Sequence, residues 1–119
     1  MLECDFKPDS GYRVSRELLN LKDMPTALIS FSDTNVMGIM RGFGDNNIRI
    51  PQDISLIVLQ DDDVFKYSIP SLTSVAFPTQ ELGRLSAEYL FKKIIQKKSD
   101  TKKVMLPVEL IIRESTCRI

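Results

Sequence analysis

The residues best placed for chemistry in this 119-residue chain are carboxylates and aromatics at the ends of apolar runs. Asp61, Asp62 and Asp63 follow directly on the run from Ile54 to Leu59, and a group of carboxylates can hold a divalent cation through its oxygens. Consecutive side chains point different ways, however, and no complete calcium-loop pattern surrounds them. An exposed loop or a polar ligand contact is the plainer reading. Asp33 stands where a strand-like run gives way to a helical one. Its oxygens can cap that helix or accept hydrogen bonds from a ligand hydroxyl, and the two roles can coexist. Phe6 is followed by polar residues and serves equally well as core or as a stacking surface for a sugar ring. Gly42-Phe43-Gly44 lies at a helix end rather than after a strand, so it is no phosphate-binding loop. No nucleophile–base pair stands out.

Composition narrows the choice. There is no histidine, which removes Ser-His-Asp and Cys-His catalysis and every His-ligated metal site. The 16 basic and 16 acidic side chains cancel, whereas a chain that binds nucleic acid by itself usually carries a basic surplus. No apolar run approaches the roughly 18 residues that a spanning helix needs. Cys4 and Cys117, near opposite ends, form neither a disulfide framework nor a metal-ligand spacing, and read as reduced thiols in preference to a single bridge. The first ten residues lack the basic start and apolar stretch of a signal peptide, so a cytoplasmic location is expected.

Positioning these residues requires alternating elements. Residues 2–6 suit an edge strand. From Ser10 to Lys22, Val14, Leu18 and Leu21 recur at helical spacing, with Asp9 or Ser10 as the cap and Met24-Pro25 as the stop. Thr26–Phe31 reads as a strand. Ser32-Asp33 then opens a helix whose Val36, Ile39, Met40 and Phe43 form one stripe, closed by Gly44-Asp45-Asn46-Asn47. Ile54–Leu59 suits a strand covered on both faces. A loop with Tyr67 and Pro70 leads to a strand at 72–77 and a helix at 79–98. That helix confines Glu81, Arg84, Glu88 and Lys92 to one narrow face and is apolar over most of the rest, so it needs partners on two sides. The lysines of 97–103 read as solvated surface, and residues 104–113 as a last strand broken by Pro107. The order β-α-β-α-β-loop-β-α-β predicts an α/β fold with a parallel sheet. Small molecules bind such sheets beyond the carboxyl ends of the strands, which points to Phe6, Phe31-Ser32-Asp33 and Leu59-Gln60-Asp61.

Several segments together resemble a family. Pro25-Thr26-Ala27-Leu28-Ile29 with Asp33 and Gly38, Ile50-Pro51-Gln52-Asp53-Ile54-Ser55-Leu56-Ile57, Pro70-Ser71-Leu72-Thr73-Ser74-Val75, Glu81-Leu82-Gly83-Arg84, Leu106-Pro107-Val108-Glu109-Leu110 and Arg113-Glu114-Ser115-Thr116 follow in order the motifs of LacI/GalR transcription regulators. Asp5-Phe6 and Ser10-Gly11-Tyr12 fit the same pattern. The resemblance implies an incomplete Rossmann-like lobe of a type I periplasmic-binding-protein-like fold. Residues 1–75 and 104–119 would form the C-terminal lobe, and the helix at 79–98 would belong to the N-terminal lobe of a longer regulator. DNA would be bound only through a headpiece outside this chain.

The resemblance also implies function. It indicates a regulator rather than an enzyme, with no cofactor and no membrane partner, that senses a small sugar or sugar derivative between two lobes and passes the signal to DNA allosterically. Carried over by position, the ligand-binding residues are Phe6, Ser32, Asp33, Gln60, Phe77 and Thr79. Two depart from the family pattern. Ser32 replaces an amide, and Gln60 replaces an aspartate, so a group that both donates and accepts stands where a carboxylate only accepts. That change suits an anionic, for instance phosphorylated, ligand or reduced binding, and the sequence does not choose between them. A homodimer is expected through Met37, Met40, Arg41, Phe65, Tyr67 and Ile69, with Met40 also readable as ordinary core. The helix at 79–98 invites a second or swapped contact. A fragment of a periplasmic-type sugar transport protein is the alternative on the same fold.

Overall fold

The computed structural model describes residues 5–96 and 101–118. The chain forms two compact units, one running up to Ala76 and resuming at Leu110, the other comprising Phe77–Glu109.

The first unit starts with helix α1, Pro8–Leu19. Its N-cap is Lys7, without a side-chain capping bond, and not Asp9 or Ser10 as expected. Pro8 explains the shift: proline at the first helical position has the helical φ already set and no N–H to satisfy. The Ser10 hydroxyl donates instead to the Asp5 carboxylate. The helix ends at Asn20, whose amide reaches the Glu17 and Leu18 carbonyls, well before Met24-Pro25. No strand forms at Asp5 or Phe6, and the remainder of the expected first strand lies outside the described residues.

Strand β1 (Ala27–Ser30) leads into helix α2 (Asp33–Asp45). The end of α2 is a Schellman motif. Asn47 takes φ 58°, a left-handed conformation that asparagine tolerates, and the Ile48 amide returns 2.9 Å to the Phe43 carbonyl. Strand β2 is Ser55–Val58, the short helix α3 is Val64–Tyr67, and strand β3 is Thr73–Ala76. The turn α3 stands in what reads from sequence as loop; the Asp62 carboxylate accepts from the Val64 amide at its start, 3.2 Å away. Strand β4 is confined to Glu109–Ile111, far shorter than the expected 104–113, since Pro107 has no ladder donor. The sheet order is β1-β2-β3-β4, with β1–β2 and β2–β3 parallel. Ala27 faces Ser55 and Ser30 faces Val58 in the register.

Two apolar clusters hold this unit. Val14, Leu18, Ile39, Phe43 and Ile54 join α1 and α2 to the base of β2. Val36, Leu56, Val58, Phe65 and Leu72 join α2, β2 and α3. β2 is nearly all buried, whereas β1 leaves Ile29 54% exposed. The helices α1 and α2 meet backbone to backbone. A Cβ at Gly11 would collide with the Asn35 carbonyl, and one at Gly38 with the Pro8 carbonyl. Neither obstacle is a movable side-chain end.

The second unit is helix α4, Thr79–Gln96, and the segment after it. Arg84 bridges Glu81 at 2.7 Å and Glu88 at 3.1 Å, and Lys92 bridges Glu88 at 2.6 Å, which makes the expected charged face. No residue of α4 is buried. Leu82, Leu90, Phe91, Ile94 and Ile95 are all more than half exposed.

Two outcomes follow. Gly38→Ala forces the Pro8 backbone away and should cost about 3 kcal/mol, at the upper end for overpacking, in chemical denaturation of the chain; an unchanged midpoint would refute the close approach. The Asp53 carboxyl, hydrogen-bonded by the Arg49 guanidinium and amide, is held down to about 2. Its ion pair therefore supports the fold above the ordinary aspartate range near 4 and is lost as pH falls toward 2. Carboxyl NMR should show that low midpoint, and Arg49→Ala, which removes the guanidinium but keeps the backbone amide bond, should move it only part of the way back to the ordinary range.

Candidate functional site

The carboxyl edge of the sheet is built by two strand-to-helix turns. At the first, the Ser30 hydroxyl donates to the Ser32 carbonyl at 2.9 Å, which bends the chain out of β1. Ser32 is the N-cap of α2, its hydroxyl oxygen accepting from the Asn35 amide at 3.3 Å and lying 2.9 Å from the Thr34 hydroxyl. The cap is thus Ser32 and not Asp33. Asp33 is the first helical residue, where its Oδ1 accepts from the Thr34 amide at 2.7 Å and its charge favours the positive end of the helix.

At the second turn, the Leu59 amide donates to the Ser30 carbonyl at 2.9 Å, carrying the β1–β2 pairing one step past the strand. Gln60 follows, exposed, at the same edge as Ser32 and Asp33. The first turns of α1 pack on the first turns of α2 through Gly11 and Gly38, so Phe6, just before α1, is carried to this end too. It is 78% exposed and therefore no core residue. The structure brings Phe6, Ser32, Asp33 and Gln60 to one edge. Phe77 and Thr79 belong to the second unit, where they line a shallow pocket with Gln80, Glu81 and Arg84 at the start of α4. A roomier cavity, also in that unit, is lined by Leu82, Leu85, Tyr89 and Leu90 together with Lys92 and Lys102.

Phe31 opens the Phe31-Ser32-Asp33 segment expected at this edge. It sits 73% exposed between buried Ser30 and Ser32, an aromatic at the strand end. Strict alternation along β1, which sends Phe31 opposite to the two serines, was the available signal.

The aspartate triplet does not converge. Asp61 Oδ1 accepts from the Arg113 guanidinium at 2.7 Å and the Ser74 hydroxyl at 2.6 Å. Asp62 accepts from the Val64 amide at the start of α3, and Asp63 pairs with Lys66 at 2.5 Å. Burial alone would raise the Asp61 carboxyl, but the Ser74 hydroxyl and Arg113 outweigh it and hold it below the usual range. Among the described residues no group of His, Cys, Asp and Glu is placed to hold a metal. The thiol of Cys117, exposed and free, lies 3.4 Å from the Pro51 carbonyl, and Cys4 lies outside the described residues.

The expected dimer residues separate. Tyr67 is 83% and Ile69 93% exposed, with Met37 and Arg41 on the outer side of α2. Phe65 is fully buried in the second cluster and has no surface to offer a partner; its place on α3 turns it inward against Leu72. Met40 packs partly into the same core.

The chain matches the periplasmic binding protein-like domain over residues 4–116. It is 32% identical to the HTH-type transcriptional repressor PurR of Photorhabdus laumondii over 115 residues, covering 97% of this chain and 34% of that repressor. The chain thus spans about a third of the length of the curated relatives it matches. Among solved structures, a LacI family transcriptional regulator from Enterococcus faecium with bound ribose aligns with a TM-score of 0.84 at 32% identity, over 97% of this chain and 42% of that one. The transcriptional regulator CelR in complex with cellobiose aligns with a TM-score of 0.84 at 31% identity, over 93% of this chain and 34% of that one. Among the described residues no helix is long and apolar enough to cross a membrane. With its parallel sheet and these matches, the chain belongs to the periplasmic binding protein-like domain family and is homologous to PurR and the LacI-type transcriptional regulators.

Proposed function

We propose that this chain is the effector-sensing and dimerising part of a cytoplasmic LacI-type transcriptional regulator. In this reading it forms most of the C-terminal lobe, and α4 belongs with an N-terminal lobe. A sugar or sugar derivative lies between the lobes, and DNA is bound by a headpiece outside the chain. The single observation that carries the reading is the gathering of Ser32, Asp33 and Gln60 on adjacent turns at the carboxyl edge of β1 and β2. Ribose and cellobiose bound to similar regulators support a sugar-like effector.

Each group has a role it is suited to. Asp33 accepts hydrogen bonds from ligand hydroxyls. Gln60 offers one donor and one acceptor face through the same amide. Phe6 supplies an apolar surface for a ring, and Phe77 and Thr79 line the cleft from the crossover after β3. Ligand contact with both lobes favours one relative orientation, and the dimer relays that orientation to the DNA-binding parts. The dimer forms through Met37, Arg41, Tyr67 and Ile69, with a small contribution from Met40. The exposed side chains of Tyr67 and Ile69 support this contact, since paired apolar groups of this size are seldom left in water.

A thermal-shift screen of the full-length regulator against ribose, cellobiose and sugar phosphates should give a rise in Tm with at least one. Asp33→Ala should weaken that ligand by about tenfold to a hundredfold, as expected for a charge-assisted hydrogen bond. A flat screen, or full affinity in Asp33→Ala, contradicts the reading. Sedimentation of this chain should give a dimer at micromolar concentration, and the double substitution Tyr67→Asp, Ile69→Asp should give a monomer. A monomer before substitution contradicts the contact.

A further inference from the structure

We propose that Arg113 is a positioning residue that, with Asp61 and Ser74, anchors both chain crossings between the two units to the strand end presenting Gln60. The topology sets the stage. The chain leaves the first unit after Ala76 and returns at Leu110. Ser74 stands on β3 just before the exit, and Arg113 just after the return. Asp61 directly follows Gln60. These three side chains, far apart in sequence, meet inside the first unit.

The contact is multiply determined. One guanidinium nitrogen of Arg113 donates to the Leu72 carbonyl at 2.6 Å and lies 2.9 Å from the Ser74 hydroxyl oxygen, and the other donates to Asp61 at 2.7 Å. The Ser74 hydroxyl in turn donates to the same Asp61 oxygen at 2.6 Å. The Arg113 amide donates to the Thr73 hydroxyl oxygen at 2.9 Å, which fixes the backbone as well as the side chain. The pair is shielded from water, its side chains only 12% and 13% exposed. The other ion pairs among the described residues all have a partner more than half exposed, where screening leaves little energy. A shielded pair held by a planar fork has essentially one geometry, because losing either partner strands a charge. Lys66 is the other cation near Asp61, and its ammonium is engaged by Asp63.

The consequence is mechanical. A change of direction at either crossing pulls on Ser74 or Arg113, and through Asp61 on the backbone of Gln60. In the effector-binding reading, on which this last step rests, ligand at Gln60 and the path of the chain between units report on each other. The anchor itself needs no ligand.

Hydrogen–deuterium exchange on the unliganded chain tests it. Arg113→Ala should speed exchange about tenfold or more in peptides covering 58–63, 72–77 and 109–114, while peptides from α1 and α2 keep their protection. Ser74→Ala, a milder loss, should show the same pattern at smaller amplitude and guards against a variant that fails to fold. Arg113→Lys, charged but unable to fork, should restore only part of the protection. Unchanged exchange in those three segments, a rise spread evenly over the chain in Ser74→Ala, or full rescue by Arg113→Lys would overturn the proposal. A failed sugar screen alongside the expected exchange pattern would sink the effector reading and leave the anchor standing.

Discussion

Ser115 is inserted into the gap beside β2 where β3 has not yet begun, and everything polar on it is engaged there. Its amide donates to the Ser71 carbonyl at 3.0 Å, and its carbonyl accepts from the Leu56 amide at 2.8 Å. Its hydroxyl donates to the Leu56 carbonyl at 2.5 Å and accepts from the Thr73 amide at 2.8 Å. The residue is fully buried, so each bond made here replaces one to water, and any one left unmade would cost the desolvation of its partner. The neighbours extend the stitch: Glu114 accepts from the Ser71 amide and hydroxyl, and Thr116 lies 2.9 Å from the Thr73 hydroxyl. A chain that has left the sheet at Ala76 and made a long helix is thereby returned to a single register. The carboxyl edge of β2, and with it Gln60, depends on that return.

Seen from the carboxyl edge of the sheet, the fold uses two kinds of support. On one side, α1 and α2 are locked by apolar packing and by glycines that let their backbones touch. That part sets the position of Ser32 and Asp33. On the other side, polar bonds of long sequence separation hold β2, β3 and the segment after β4. Polar networks of this kind have discrete geometries rather than a continuum.

What sequence made legible, and what it did not, follows from range. The apolar run at Ile54–Leu59, the stripe Val36, Ile39, Met40 and Phe43, and the stop at Asn46-Asn47 depend on neighbours and were readable from them. The clustering of Ser32, Asp33 and Gln60 needed only a parallel sheet and the rule that ligands sit at its carboxyl edge. The start of α1 was misjudged because proline at the first position competes with side-chain caps, and both signals stand within Lys7–Ser10. Phe65 looked like surface because nothing local distinguishes an aromatic in a loop from one on a single helical turn folded against Leu72. The Asp61–Arg113 pair joins residues separated by 52 positions and no periodicity announces it. The family resemblance marked Arg113-Glu114-Ser115-Thr116 as a motif without saying what its side chains hold.

In the proposed function, the effector is held at the turns after β1 and β2. A crystal structure of the full-length regulator with its strongest thermal-shift ligand tests that most directly. Ligand oxygens should lie within about 3 Å of the Asp33 carboxylate and the Gln60 amide, the range of an ordinary hydrogen bond. A ligand seated elsewhere, with Asp33 and Gln60 still facing solvent, would contradict it.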